Sequence, residues 1–143
     1  MSTEFNTVWA EPLTEFSQRV FEKMGVPSAD AMVTSEVLVL ADLRGIESHG
    51  VARLRRYYTG LKNGVMVAKP NLKVVRETPL TALIDGGGAL GQVAGRRGME
   101  IAMEKARSKL IGMSLSIESS RTFSKVLPLE MGILIGLWRC LLL

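Results

Sequence analysis

The chain has one cysteine, Cys140, and one histidine, His49, among its 143 residues. A structural zinc centre and a disulfide framework are both excluded on that count, and a reducing compartment is the default for so thiol-poor a chain. The N-terminus has no basic stretch followed by an apolar run, so no secretory signal is expected and the expected location is cytoplasmic. Charge of one sign never gathers in a block: 18 Lys and Arg are interspersed with 14 Asp and Glu, and the net +4 implies mild anion affinity rather than a nucleic-acid partner. The most apolar run, residues 131–143, is too short to cross a bilayer unaided, so no membrane partner is expected. Internal repeats and low-complexity linkers are also missing. What remains is a 47% hydrophobic chain able to bury one modest core, too short for two complete enzyme domains.

Helical periodicity dominates the first half. Pro12 suits a first helical position, and Leu13, Phe16, Val20 and Met24 follow at spacings of three and four up to Gly25. Ser28 is placed to cap a second helix with Asp30 in its first turn. Met32 or Val33, Val37, Leu40 and Ala41 form its expected inner face, and Arg44 and Gly45 its end. After Ile46 and Glu47, Ser48 is placed to cap a third helix carrying Leu54, Tyr57 or Tyr58 and Leu61, which sets His49 in its first turn.

The pattern then changes. Residues 72–76 and 80–84 are short, partly alternating and separated by Glu77-Thr-Pro79, which predicts two strands around a turn. Gly86, Gly87 and Gly88 close the second strand. Val93, Ala94, Gly98, Ile101, Ala102 and Ala106 predict the inner face of a helix ending near Lys109, followed by a buried strand over residues 111–117. The fold class is therefore mixed α+β: an N-terminal helical segment, a strand hairpin, a helix and a strand.

Three groups of residues compete for chemistry. Ser48-His49-Gly50 with Arg53 one turn on can set an imidazole and a guanidinium on one side of a helix start, a pair suited to an anionic substrate. Such a histidine can pass a proton to a carbonyl oxygen while hydride arrives at carbon. Spacing alone leaves His49 open between that role and a plain capping-turn histidine, and Arg53 open between ligand and solvated charge. Gly86-Gly-Gly-Ala-Leu-Gly91 satisfies the glycine spacing of a dinucleotide turn between a strand and a helix, with Glu118 as a ribose contact. Against it stand the long spacing to Glu118, the preceding hairpin strand, and Asp85 beside the would-be phosphates. Arg53, Arg55 and Arg56 with Tyr57 and Tyr58 form a basic and aromatic cluster, better explained as a solvated helix face than as a nucleic-acid contact.

The stretch Ala41-Asp-Leu-Arg-Gly-Ile-Glu-Ser-His-Gly-Val-Ala-Arg-Leu54, with Tyr57, Gly64 and Pro70 downstream, then Asp85-Gly-Gly-Gly-Ala-Leu-Gly-Gln-Val-Ala-Gly95 and Ala102-Met-Glu-Lys-Ala106, resembles the type 2 malate/L-lactate dehydrogenase family over roughly residues 10–113. The resemblance implies a non-Rossmann fold and an NAD- or NADP-dependent reductase of 2-oxo acids that works as a homodimer. It implies His49 as the catalytic proton carrier with Ser48 beside it, and Arg53 as the contact to the carboxylate of a 2-oxo or 2-hydroxy acid. The glycines between residues 86 and 91 then become structural, shaping a strand-to-helix turn.

The resemblance fades where the family continues with valine, arginine, asparagine, serine and then histidine, phenylalanine, glycine. Here the chain has Glu118-Ser-Ser-Arg-Thr-Phe-Ser-Lys-Val-Leu-Pro128. Codons for residues 120–123 and 125–128 can spell Ser-His-Phe and Gly-Ile-Ala in one alternative frame, so a frameshift near residues 114–119 is expected, leaving the chain incomplete relative to the family. The expected organisation is a helical segment carrying the Ser-His-Gly motif over residues 1–64, the start of an α/β cofactor and substrate domain over 65–113, and a divergent apolar tail over 114–143. So arranged, the chain is expected to be inactive by itself. Two non-dehydrogenase alternatives are a small nucleotide-binding domain using residues 86–91 and an interaction module using the apolar tail.

Overall fold

Helix α1 spans Ala10–Lys23, two residues earlier than the sequence suggests, so Pro12 sits inside the first turn, where a missing N–H costs nothing. The structure, a computed structural model, describes residues 7–109 and 111–117. Its residues divide between two compact units, Met1–Lys69 and Pro70–Leu143.

In the first unit, α1 packs against α2, Ser28–Leu43. The buried face of α1 is Ser17 and Phe21, one helical turn apart, while Phe16 stays 59% exposed. The buried face of α2 is Ala31, Thr34, Ser35, Leu38 and Val39, and Val37 and Leu40 face outward. Both expected apolar stripes are thus rotated from the faces that pack. Small side chains let two helices approach closely, and Thr34 removes its own polar cost by donating to Asp30 O at 2.8 Å. Ser28 does not cap α2: Pro27 holds that place, and the Ser28 hydroxyl instead donates to Glu22 Oε1 at 2.7 Å. The end of α1 follows expectation, with Gly25 in the left-handed region at φ +85°.

Beyond α2 the chain turns at Gly45 and forms two short 3-10 turns, Glu47–His49 and Val51–Arg53, before helix α3, Leu54–Lys62. Leu54 is buried, and Tyr57 meets Phe21 edge-on with ring centroids 6.1 Å apart.

The second unit is a three-stranded sheet in the order β1-β2-β3, comprising β1 Lys73–Glu77, β2 Thr81–Asp85 and β3 Met113–Ile117. Strands β1 and β2 form the expected antiparallel hairpin, with a register shift between Val74 and Arg76. Its turn is held by the Thr78 hydroxyl, which accepts from Thr81 N at 2.9 Å. Helix α4, Gly91–Lys109, carries the crossover that brings β3 parallel to β2. Its buried face is Val93, Ala94, Gly98, Ile101 and Ala102, as periodicity predicts, and Ile101 joins Ala82 and Ile84 of β2 in the core. Lys105 reaches from α4 to Glu77 Oε1 at 2.7 Å and Thr78 O at 2.8 Å, pinning the hairpin turn. Strand β3 is shorter and more open than expected: Met113 is 50% exposed, because β3 has β2 on one side and no described strand on the other. The expected tail begins inside β3, whose last four residues are 114–117; Glu118 and the rest of the tail lie outside the described residues.

Candidate active site

The connection from α2 to α3 brings the motif side chains together. Ile46 N–H donates back to Ala41 O at 2.8 Å, which closes the end of α2 and starts the first 3-10 turn. His49 N–H donates to Ile46 O at 2.9 Å, so the histidine is fixed at the last position of that turn rather than in the first turn of α3. Ser48 caps no helix; its Oγ lies 2.9 Å from His49 Nδ1. Arg53 ends the second 3-10 turn and donates from Nε to Ser48 O, crossing back over the turn that carries the histidine. Ser48 and His49 are exposed and Arg53 is half-buried, which leaves the group open to a small solute.

A serine hydroxyl both donates and accepts, so it can partner Nδ1 in either protonation state and leave Nε2 for chemistry. With Nδ1–H donating to Ser48 Oγ, Nε2 can hold or release a proton while the ring keeps its orientation. The Arg53 bond uses Nε, and the paired Nη groups are the edge that binds a carboxylate in two parallel hydrogen bonds.

Asp42, within the motif but given no role by sequence reasoning, is part of this arrangement. Its Oδ2 accepts Val51 N–H at 2.8 Å, linking the last turn of α2 to the second 3-10 turn across nine positions of sequence. The signal for it was present as an acidic residue shortly before a helix start, but the intervening turn hid the pairing.

The second glycine-rich connection, from β2 to α4, is built differently. Gly87 and Gly88 have φ +57° and +78°, and a Cβ on Gly87 would stand 3.1 Å from Asn71 O. Gly87 N–H donates to Asp85 Oδ1 at 2.9 Å, and Ala89 N–H to Gly86 O at 2.9 Å. Those amides close the turn on itself, and a pyrophosphate placed there would meet the Asp85 carboxylate. The loop does not fit a dinucleotide phosphate. The cluster at Arg53, Arg55, Arg56, Tyr57 and Tyr58 does not form one surface either, because Tyr57 packs on Phe21 while Arg55 and Arg56 are exposed. Among the described residues no group of His, Cys, Asp and Glu is placed to hold a metal ion, and no helix is long and apolar enough to cross a membrane.

Residues 8–126 match the model of a family described as malate/L-lactate dehydrogenase. The malate dehydrogenase of Pyrococcus horikoshii is 47% identical over 108 residues, which are 76% of this chain and 30% of that protein. The L-sulfolactate dehydrogenase of Methanocaldococcus jannaschii is 48% identical over 94 residues, 66% of this chain and 27% of that protein. The solved structure of the Pyrococcus horikoshii malate dehydrogenase aligns with a TM-score of 0.78 at 44% identity, over 80% of this chain and 33% of that one. The chain spans about a third of the length of the relatives it matches.

Proposed function

The chain belongs to the malate/L-lactate dehydrogenase family, and from that premise we propose that it carries the proton-transfer and carboxylate-binding part of a 2-oxo acid reductase. The observation that supports this most is the convergence of Ser48, His49 and Arg53 on one turn, with Ser48 Oγ on Nδ1 and Arg53 Nε on Ser48 O.

In the reduction direction, Arg53 binds the substrate carboxylate through its Nη edge and so aims the neighbouring carbonyl oxygen at His49. His49 Nε2–H gives its proton to that oxygen as negative charge develops on it. Ser48 keeps the ring oriented by accepting from Nδ1–H before and after the transfer. In the oxidation direction Nε2 takes the proton from the 2-hydroxyl group, and Ser48 Oγ stabilises the imidazolium that forms.

The hydride donor of such a reaction is NADH or NADPH, and the turn at residues 86–91, closed on Asp85 and Gly86, does not suit its pyrophosphate. We therefore propose that the 143 residues alone do not turn over substrate, because a proton carrier without a donor held beside it supplies no reaction path. A homodimeric assembly and a cytoplasmic location complete the reading.

His49 is the only histidine, so imidazole signals in an NMR spectrum belong to one residue. Addition of L-malate or pyruvate is expected to shift them, with Arg53→Ala weakening the effect at least about tenfold through loss of a charge-assisted bidentate contact. Absence of any shift at millimolar L-malate and pyruvate sinks the reading. Robust NADH- or NADPH-dependent reduction of pyruvate or oxaloacetate by the purified chain overturns the expectation of inactivity.

A further inference from the structure

We propose that Asp42 is a positioning residue that sets His49 and Arg53 relative to each other; this rests on the reading of that pair given above. The joint between the two 3-10 turns is Gly50, and the two arms of the joint end in the two side chains. Gly50 N–H donates to Glu47 O at 3.2 Å on the histidine side, and Gly50 O accepts Arg53 N–H at 3.0 Å on the arginine side. The Asp42 carboxylate holds this joint from α2. Its Oδ2 takes the Val51 N–H at 2.8 Å, one of the amides that a turn start leaves without a partner of its own.

Its other oxygen occupies the space beside Gly50: a Cβ built there would overlap Asp42 Oδ1 and Cγ. Gly50 has φ −85°, open to any residue. A side chain at position 50 and the Asp42 carboxylate therefore compete for one space, and the carboxylate, at the end of a flexible side chain, is the group that would give way. Carboxylate and glycine form one contact, made by residues eight positions apart. The Arg53 Nε bond to Ser48 O crosses the same joint, so it reports any change of angle between the arms.

The test uses the whole chain labelled with 15N. In Asp42→Ala, Val51 amide exchange is expected to accelerate at least about tenfold as its acceptor is lost. The His49 ring nitrogens and the Arg53 Nε–H are expected to leave their wild-type positions, while helix content by circular dichroism and the Phe21 and Tyr57 ring signals stay. Asp42→Asn keeps the shape and an acceptor oxygen, and is expected to fold and move the same signals in the same direction by less. Gly50→Ala, which drives the carboxylate out, is expected to reproduce Asp42→Ala. The double variant of Asp42→Ala with Gly50→Ala is expected to be no worse than either single change, because the added methyl enters the space the carboxylate left.

Unmoved His49 and Arg53 signals in both Asp42 variants, or additive effects in the double variant, overturn the proposal. L-malate separates it from the reading on which it rests. If L-malate shifts the His49 signals in the wild-type chain, its apparent Kd is expected to rise at least about tenfold in Asp42→Ala, as it does when a carboxylate-binding pair is misaligned; an unchanged Kd overturns the proposal. If L-malate leaves His49 unmoved in the wild-type chain while the Asp42 variants still displace the two side chains, the substrate reading fails and the positioning role stands.

Discussion

Two glycine-bearing connections, one from α2 to α3 and the other from β2 to α4, differ in what their structure is made of. In the first, side chains reach across backbone-bonded turns: Asp42 holds Val51, Arg53 holds Ser48, and Ser48 meets His49. In the second, the amides of the turn itself are used to close it, Gly87 on Asp85 Oδ1 and Ala89 on Gly86, with Gly87 and Gly88 in the left-handed region. A turn made from side chains leaves polar groups at the surface that can act on a solute. A turn closed through its own amides has fewer of them left for a ligand, however suggestive its glycine spacing.

The largest expected effect falls on the first connection. If residues 10–113 are exchanged into a full-length relative that is active, His49→Ala is expected to lower kcat by about 100-fold to 10,000-fold, the range for loss of a positioned acid/base. Its stability is expected to stay within about 0.5 kcal/mol, as for an exposed side chain. A steady-state assay and a denaturant titration read the two quantities, and a stability loss that accounts for the activity loss breaks the distinction between the connections. Gly87→Val is expected to behave in the opposite way: a β-branched residue forced to positive φ costs about 2 kcal/mol in an unfolding titration. The His49 response to L-malate is expected to persist in that variant, and its disappearance shows that the glycine turn belongs to the site after all.

Arg53→Lys sharpens the comparison at a smaller scale. Lysine keeps the charge but loses the planar fork, so L-malate affinity is expected to fall by about tenfold with the His49 shift at saturation retained. Equal affinities mean that Arg53 acts only as a charge. The smallest effect lies away from both connections. The Ser28 hydroxyl, followed by the Gln18 amide and with a lesser part from Arg19, holds the Glu22 carboxyl below its ordinary value. A carboxyl depressed in the folded chain adds stability above its unfolded pKa, and that contribution is lost as pH falls through the folded pKa. Ser28→Ala is expected to move Glu22 up toward the ordinary value and to weaken this acid-side dependence. A carboxyl-detected NMR titration checks it, with an unchanged Glu22 curve as the contrary outcome.

Helices and strands were legible where one face of a segment alone decides burial. The inner face of α4, from Val93 to Ala102, follows the 3.6-residue period because it lies on a sheet, where apolar residues have a broad surface to cover. The α1 and α2 faces were misplaced because the faces that are buried mix the small or polar Ser17, Ala31, Thr34 and Ser35 with Phe21, Leu38 and Val39, and so read as less apolar than the stripes beside them. Hydrophobicity ranks the residues that can be buried, whereas close helix approach also depends on size, and the second condition is invisible until the partner is in place.

The candidate site divides along the same line. Covalent adjacency alone put Ser48 next to His49, and the four-residue spacing kept Arg53 near, so these three were legible as a group. The order of elements and their types also followed from local pattern, since periodicity, proline and glycine act within a few residues. Which faces pack, how Arg53 folds back over Ser48, and the grip of Asp42 on the joint at Gly50 were decided by tertiary structure. The α1 and α2 faces meet across the reversal at Gly25, Arg53 folds back across the joint at Gly50, and Asp42 reaches that joint across the reversal at Gly45; a contact across such a reversal has no counterpart in the local preferences of the residues that make it.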